Sequence, residues 1–213
     1  MSGPFINLAS FISKTESLGP GQRAVIWVQG CPFRCAGCIV PEWQKDIPNQ
    51  KVAVETLAGW ILESPGISGL TISGGEPLLQ AKALVQLIRL VRQQRNLDVI
   101  SYTGYTFGQL LNRIPLFPEI GEYLDSIDVL IDGLYIRSMD DNRGLRGSSN
   151  QRIHFLTPRL ASFDFENTPR RVDFFIQNHE LTLAGIPPHG LLEIFSEISQ
   201  KSALPDILSR SQV

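Results

Sequence analysis

Cysteine is scarce in this sequence, and the few cysteines lie in one short window. Only three occur among 213 residues, Cys31, Cys35 and Cys38, in the run Gly-Cys-Pro-Phe-Arg-Cys-Ala-Gly-Cys. Thiols this close together, in a chain without a recognisable export signal, are typical of metal binding in a reducing compartment. The sequence therefore predicts a metal site rather than disulfides.

An excess of charge and long apolar runs are lacking as well. The formal net charge is −2 and charged residues make up 19% of the chain, so bulk electrostatics favour neither nucleic acid nor an anionic membrane as a partner. No apolar run approaches the ~20 residues of a transmembrane helix. Residues 1–18 lack the basic and then apolar pattern of a secretory signal. We therefore expect a cytoplasmic protein that binds no nucleic acid and no membrane.

The absence of a fourth cysteine narrows the metal chemistry. A cubane 4Fe–4S cluster usually takes a thiolate on each of its four irons, so Cys31, Cys35 and Cys38 would leave one iron open, as catalytic metal sites require. A zinc site of three cysteines and one histidine is the alternative, but none of the three histidines lies near the cysteines in sequence. Zinc sites also more often use paired cysteine knuckles. The spacing favours a cubane with these three ligands, and a zinc-stabilised binding module stays open as the alternative.

Apolar runs of strand length alternate with patterns of helical period along most of the chain. Helices are predicted from residue 54 to the Pro65-Gly66 pair, at 79–94 and at 107–112, and a loop is predicted around Pro115 and Pro118. Strands are predicted at 24–29, 69–73, 98–102, 129–131 and 153–156. Such alternation is typical of parallel β/α units joined by right-handed crossovers.

The length and the element order predict an α/β fold that is an incomplete, partial β/α barrel, because the chain is too short for eight units. From Arg171 the pattern changes. Two strands flanking residues 178–180 predict a β-hairpin, and a helix containing Leu191 follows. We therefore expect a cluster-binding partial-barrel domain at residues 1–160. A C-terminal extension of hairpin and helix, residues 161–213, would pack on that core.

Small and polar residues follow several predicted strands directly. Active sites of α/β proteins gather at the carboxyl ends of parallel strands. Adjacent glycines allow a ligand to approach the backbone closely, and Glu76 could accept a hydrogen bond from a ligand ammonium. Glu76 at the start of a helix could instead be an ordinary turn residue, since helix starts favour negative charge. The segments in question are the cysteine loop, Gly74-Gly75-Glu76, Thr103-Gly104 and Asp132-Gly133.

Together these motifs resemble a known superfamily. The spacing Cys-x3-Cys-x2-Cys followed by Gly74-Gly75-Glu76-Pro77 resembles the radical S-adenosylmethionine enzymes. The chain is further similar to activating proteins of anaerobic ribonucleotide reductase and to related glycyl-radical activating enzymes. The resemblance covers residues 17–157 and also implies a partial β/α barrel. Its supporting stretches are 19–23 (Gly-Pro-Gly-Gln-Arg), 30–32, 37–38, 71–77, 101–106, 131–133 and 146–152 (Arg-Gly-Ser-Ser-Asn-Gln-Arg).

The resemblance implies a reaction and its partners. A 4Fe–4S cluster would reductively cleave S-adenosylmethionine, and the resulting 5′-deoxyadenosyl radical would take hydrogen from a glycine of a glycyl-radical enzyme like anaerobic ribonucleotide reductase. Hydrogen abstraction needs no general acid or base, so no catalytic side chain is assigned. A flavodoxin- or ferredoxin-like protein is the implied electron donor. The alternative within enzymes is a radical enzyme that acts on a small molecule or peptide.

The resemblance also implies which residues contact the cofactor. They are Gly37, Cys38, Ile39, Gly74, Gly75, Glu76, Thr103 and Asp132. The Gly74–Glu76 segment would lie near the methionine ammonium, and Gly37 and Ile39 near the adenine. Many superfamily members carry an aromatic residue before the third cysteine, where this chain has Gly37. Thr103 and Asp132 would contact ribose or methionine, although either could equally be a turn residue.

The polar stretch 137–152 allows two interpretations. Its mixed charges are typical of a solvated loop, whereas its resemblance to the family indicates a loop that docks a partner or covers the cofactor. His154 lies in an apolar strand, and such a histidine is more often a satisfied core residue than a metal ligand.

Overall fold

The computed structural model describes residues 4–177 and 180–202. Their α-helices are α1 (Val54–Glu63), α2 (Ala81–Arg92), α3 (Phe107–Arg113), α4 (Pro118–Ser126) and α5 (Leu191–Ser202). The strands are β1 (Phe5–Thr15), β2 (Arg23–Val28), β3 (Gln50–Ala53), β4 (Gly69–Gly74), β5 (Asp98–Thr103), β6 (Val129–Asp132), β7 (Arg152–Phe155), β8 (Val172–Gln177) and β9 (Glu180–Gly185). Within the described residues, every helix is too short or too polar to cross a bilayer.

Seven of these strands form one mixed sheet in the order β3-β1-β2-β4-β5-β6-β7. The four strands β2, β4, β5 and β6 are parallel, whereas β1, β3 and β7 pair antiparallel with their neighbours. In the part of the chain that the structure describes, β3 and β7 are end strands that do not pair with each other. The predicted α/β class is therefore confirmed, and the sheet is open rather than a closed barrel.

Both faces of the sheet are buried, which explains the continuous apolar run of β2. Successive side chains of a strand point to opposite faces. Ile26 packs in the larger core with helices α1, α2 and α4, and Trp27 packs on the other face. All six residues of β2 are buried, as expected for a central parallel strand.

The face opposite the helices is covered by the later part of the chain. Ala184 of β9 and Ile186 pack beside Trp27, and Phe165 packs on Ile100 of β5. Strands β8 and β9 form the predicted hairpin. Residues 178–179, including His179 of the predicted turn, lie outside the described residues. The division into domains at residue 160 stays a prediction.

Two sequence-based predictions differ from the structure. The loop predicted around Pro118 is wrong, because α4 begins at that residue. Proline is tolerated in the first turn of a helix, where its missing N–H has no helical partner. The predicted helix 79–94 begins as a 3-10 helix, Pro77–Gln80, and continues as α2. In addition, β1 and β3 had no counterpart among the predicted strands.

A buried arginine fastens the amino-terminal edge of the parallel strands. Arg23 has no exposed surface, and its guanidinium donates to Thr71 Oγ1 at 2.8 Å and to Asp98 Oδ1 at 2.5 Å. It also donates to the carbonyl oxygen of Leu70 at 2.8 Å. The arginine therefore joins β2, β4 and β5 at the edge of the sheet opposite to the cysteines.

Candidate functional site

The cysteines lie on one loop at the carboxyl edge of the sheet. The loop leaves β2 through Gly30, whose φ of +95° is in the left-handed region that favours glycine. Its start is held by a hydrogen bond from the Gly30 N–H to the Trp43 carbonyl oxygen at 2.9 Å. Cys31, Cys35 and Cys38 are all free and half-buried. One short segment therefore presents three thiols beside the strand ends.

Backbone N–H groups point at two of the sulfurs. The N–H of Phe33 donates to Cys31 and the N–H of Tyr135 donates to Cys35. Burial has the larger effect and raises the pKa of the Cys31 thiol to about 11, and it raises the pKa of Cys35 as well. A bound metal ion reverses this balance, because a coordinating thiol is deprotonated outright. The N–H groups would then face thiolates, which they stabilise.

The donor set fits an iron–sulfur cluster better than a single ion. Thiolates are soft ligands and suit iron–sulfur clusters. A tetrahedral zinc needs a fourth ligand beside three thiolates, whereas a cubane takes each thiolate at a different iron. The chemistry of the three thiols therefore fits a cubane.

The glycine pair at the end of β4, Gly74 and Gly75, packs directly against the chain that leaves β2. A Cβ on Gly75 would lie 2.2 Å from the carbonyl oxygen of Gly30. The Glu76 N–H donates to that same oxygen at 2.8 Å, and the Gly75 N–H donates to the Val28 carbonyl oxygen at 2.7 Å. Glycine is therefore required here for the contact between two backbones, in addition to any role beside a ligand.

Glu76 links this segment to the next strand end. Its side chain is fully buried, and Oε1 accepts hydrogen bonds from Leu78 N–H at 3.0 Å and from Thr103 Oγ1 at 2.9 Å. Oε2 accepts from Gly104 N–H at 2.8 Å. Burial raises the pKa of Glu76 to about 7, against the opposing effect of these donors. The structure thus brings together Glu76 and Thr103, and the direct contact of Glu76 with a ligand ammonium stays a prediction.

Asp132 is buried and holds the end of β6. Its Oδ2 accepts from the Phe107 N–H at 2.5 Å and its Oδ1 from the Arg152 N–H at 3.2 Å. Nε2 of His154 lies 2.9 Å from Oδ2 but outside hydrogen-bonding geometry, and its ring stacks on Phe107 at 4.7 Å. Asp132 therefore joins β6 to α3 and β7. Its contact with the cofactor stays a prediction.

The motif at residues 146–152 holds the segment that follows β6. Gln151 Nε2 donates to the Gly133 carbonyl oxygen at 2.8 Å, and Asn150 Nδ2 donates to that of Leu134 at 2.8 Å. Ser148 Oγ accepts from the Ile136 N–H at 3.1 Å. The polar stretch is therefore an internally bonded scaffold rather than a loosely solvated loop.

This scaffold places side chains that the sequence did not single out beside the cysteines. A cavity of about 670 Å³ separates the cysteine loop from the segment after β6. Leu134 and Ile136 are exposed apolar residues in a run too short to show a helical or strand period, so no periodic signal pointed to them. The cavity is lined by Phe33, Cys35, Ala36, Leu134, Ile136 and Arg137, among others.

The remaining predicted residues flank the third cysteine. Cys38 and Ile39 are partly buried and pack against the apolar side chains around Trp27. Gly37 is exposed, with a φ of +84°, and it faces the side chain of Arg137. The structure thus places Gly37 toward the cavity side and Ile39 toward the core.

Residues 17–154 match the family described as "4Fe-4S single cluster domain". The chain is 32% identical over 141 residues to the anaerobic ribonucleoside-triphosphate reductase-activating protein of Enterobacteria phage T4, covering 63% of this chain and 85% of that protein. The protein of the same name from Vibrio cholerae serotype O1 is 34% identical over 150 residues, with 65% and 91% covered. A pyruvate formate-lyase-activating enzyme of Staphylococcus epidermidis is 31% identical over 164 residues, with 70% and 61% covered.

These matches agree with the cysteine loop and with the strand-end motifs around it. The matched family segment spans more than half of the chain, and the coverage of two relatives exceeds four fifths of their length. The resemblance read from the sequence is therefore confirmed. The chain belongs to the radical S-adenosylmethionine activating enzymes, a family that carries a single 4Fe–4S cluster and uses S-adenosylmethionine.

Proposed function

We propose that this chain cleaves S-adenosylmethionine reductively and installs a radical on a glycine of a partner glycyl-radical enzyme of the anaerobic ribonucleotide reductase type. The choice of partner rests on how much of each relative's length this chain matches. The chain matches 85% and 91% of the length of two reductase-activating proteins, but 61% of a pyruvate formate-lyase-activating enzyme. The residue before the third cysteine, Gly37, departs from the aromatic residue of many superfamily members and matches the activating-protein subgroup that the sequence resembles.

Cys31, Cys35 and Cys38 would hold the cluster. Their common loop and the two N–H groups aimed at sulfur support this assignment. The absence of any other cysteine in the sequence leaves one iron without a protein thiolate. When bound, the cluster and its S-adenosylmethionine supply the electron transfer and the 5′-deoxyadenosyl radical, chemistry that belongs to the cofactor rather than to the protein.

The protein's own contribution is to position the cofactor and exclude water. Gly74, Gly75 and Glu76 would lie beside the methionine ammonium, and Thr103 and Asp132 beside ribose or methionine. The hydrogen bonds of Glu76 to Thr103 and Gly104 make these strand ends one unit, which limits reorganisation during the reaction.

Apolar side chains would protect the reactive species. Phe33 and Ile136 line the cavity beside the cysteine loop, and Phe33 packs edge-on against Tyr105 with ring centroids 4.8 Å apart. Exclusion of water prevents side reactions of a reactive intermediate. The open sheet would act as a partial barrel, with residues 161–213 as a C-terminal extension packed on the core. A flavodoxin- or ferredoxin-like donor in the cytoplasm would supply the electron.

The test uses anaerobically reconstituted full-length protein mixed with an anaerobic ribonucleotide reductase. Reduction in the presence of S-adenosylmethionine is expected to give a glycyl doublet in the electron paramagnetic resonance spectrum of the reductase. Omitting S-adenosylmethionine is the control. Cleavage of S-adenosylmethionine without a glycyl signal, together with turnover of a small molecule, would overturn the proposed partner. Colourless protein with stoichiometric zinc would overturn the enzyme assignment itself.

A further inference from the structure

The backbone conformation before the third cysteine disfavours any side chain. Gly37 has a φ of +84°, a conformation that L side chains rarely adopt. A Cβ at Gly37 would lie 3.3 Å from Cδ and 3.5 Å from Nε of Arg137. This chain has glycine where many superfamily members carry an aromatic residue. The guanidinium of Arg137, from the segment after β6, lies where a side chain on residue 37 would point.

Arg137 is available for a ligand. It is exposed, and no carboxylate in the described parts of the chain forms an ion pair with it. Two arginines near it in the fold are engaged: Arg146 pairs with Asp141 at 3.2 Å, and Arg170 pairs with Asp140 at 2.8 Å. Because no ion pair holds it within the described residues, the Arg137 guanidinium is free to contact a bound molecule.

The backbone that carries Arg137 is nonetheless fixed. The Asp140 N–H donates to the Arg137 carbonyl oxygen at 3.2 Å, and the Ser149 N–H donates to that of Met139 at 2.8 Å. On the other side, the Ile136 N–H is held by Ser148 Oγ. The guanidinium is therefore presented from an ordered short 3-10 helix, Arg137–Met139, which reduces the entropy lost when it meets a ligand.

The cavity beside Arg137 has the character of a site for a planar ring. It is about 670 Å³ in volume, and its walls include Ala36 of the cysteine loop and the apolar side chains of Leu134 and Ile136. This volume is within the range of about 300–1,000 Å³ for small-molecule sites. Guanidinium groups stack on aromatic faces, and their planarity distinguishes them from the lysine ammonium. Two planar guanidinium groups, those of Arg34 and Arg137, line the cavity together with these apolar walls, and of the two it is Arg137 that lies against Gly37.

We propose that the Arg137 guanidinium stacks on the adenine of S-adenosylmethionine, in the place left open by Gly37. The inference rests on the proposed function, because that function brings the nucleotide to the cysteine loop. Arg137 then determines affinity for the nucleoside half of the cofactor. The methionine half, which would bind the open iron, does not depend on it.

Binding to cluster-loaded protein with the cluster oxidised tests the proposal without turnover. Affinities for S-adenosylmethionine, 5′-deoxyadenosine and methionine are measured by anaerobic equilibrium dialysis. Arg137→Leu is expected to weaken binding of the first two about tenfold, between the effects of an exposed and a desolvated cation–π contact, and to leave methionine binding unchanged. Arg137→Phe, which restores a planar face, should recover most of the lost affinity. Arg143→Leu is the matched control, because Arg143 also has no carboxylate partner among the described residues but does not line the cavity.

The outcomes separate this inference from the function on which it rests. If Arg137→Leu weakened methionine and spared 5′-deoxyadenosine, the guanidinium would bind the carboxylate and the stacking proposal would be wrong. Equal affinities of the wild type and Arg137→Leu for all three molecules would also overturn it while leaving the proposed function intact. A cluster-loaded wild type that binds no S-adenosylmethionine would contradict both. Iron content and circular dichroism of each variant verify cluster and fold.

Discussion

At the scale of single residues, the site depends on close backbone contacts and on one buried carboxyl group. Gly75 lies against Gly30, and Glu76 joins two strand ends through the hydrogen bonds that it accepts from Thr103 and Gly104. These residues therefore shape the loops in addition to any contact with the cofactor. Their substitution is expected to change the stability of the metal-free protein, which a purely ligand-binding role would not do.

Glu76 gives a pH dependence of stability. Burial raises its pKa from the ordinary 4.5 to about 7, so between these values the folded protein holds a proton that the unfolded chain releases. Stability contributed by the protonated form is therefore present below pH 4.5 and is lost as pH rises through 7. The expected loss is about 3 kcal/mol at full titration. Urea unfolding of metal-free protein between pH 5 and 7.5 measures it, and a Glu76→Gln variant with the same pH slope would refute the assignment.

Substitution of Gly75 tests the contact between the two loops. Gly75→Ala forces a Cβ to within 2.2 Å of a backbone oxygen, so the cysteine loop must shift. We expect thermal stability to fall and cluster incorporation to drop at least severalfold, as measured by iron content. Gly108→Ala in α3 is the matched control, because nothing lies within 4 Å of its added Cβ. That change should stabilise the protein by about 0.5–1 kcal/mol, since glycine weakens a helix.

At the scale of elements, one buried arginine holds the segment after β6 and the C-terminal part of the chain together. Arg170 is 1% exposed and donates to Asp140 Oδ1 at 2.8 Å and to the Arg146 carbonyl oxygen at 2.9 Å. It also reaches the Pro187 carbonyl oxygen at 3.4 Å. Burial alone would raise the pKa of Asp140, but the hydrogen bond and the charge of Arg170 outweigh it, and the pKa is lowered. The carboxylate is therefore bound in its charged form.

Replacing Arg170 is expected to loosen the wall of the cavity. Arg170→Met leaves the half-buried Asp140 without its main partner and should cost about 1.5–3 kcal/mol of unfolding free energy, the range for hydrogen bonds to charged groups. Amide hydrogen exchange of residues 134–149 should accelerate in the same variant. Arg171→Met is the matched control: Arg171 is 71% exposed and lies 4.0 Å from Glu16, so its removal should cost no more than about 1 kcal/mol. Equal effects of the two substitutions would contradict the role of Arg170.

The sequence predicted the elements whose periodicity is simple. The apolar runs of β2 and β4 and the helical spacing of α2 are present, because central strands and their covering helices are buried in regular patterns. Strand β1 was missed because its buried residues are interrupted by register shifts against β2. Helix α4 was missed because Pro118, read as a loop signal, is its first residue.

At the scale of the whole molecule, some sequence motifs lie at the candidate site and others hold the fold together. The cysteines and the glycine pair gather at one edge of the sheet, as the strand-end rule predicts. The stretch 19–23 lies at the other edge, where Arg23 joins three strands, and the stretch 146–152 is a scaffold for residues 133–139. Sequence similarity alone could not tell the motifs at the site from those that stabilise the fold. The distinction depends on where each motif lies relative to the strand ends.

The central claim is that three thiols hold a cubane whose remaining iron is open to S-adenosylmethionine. Low-temperature electron paramagnetic resonance of the reduced, anaerobically reconstituted protein tests it most directly. We predict a 4Fe–4S signal whose shape changes when S-adenosylmethionine is added and which Cys35→Ala abolishes. A signal that S-adenosylmethionine leaves unaltered, or one that persists in full in Cys35→Ala, would contradict the account.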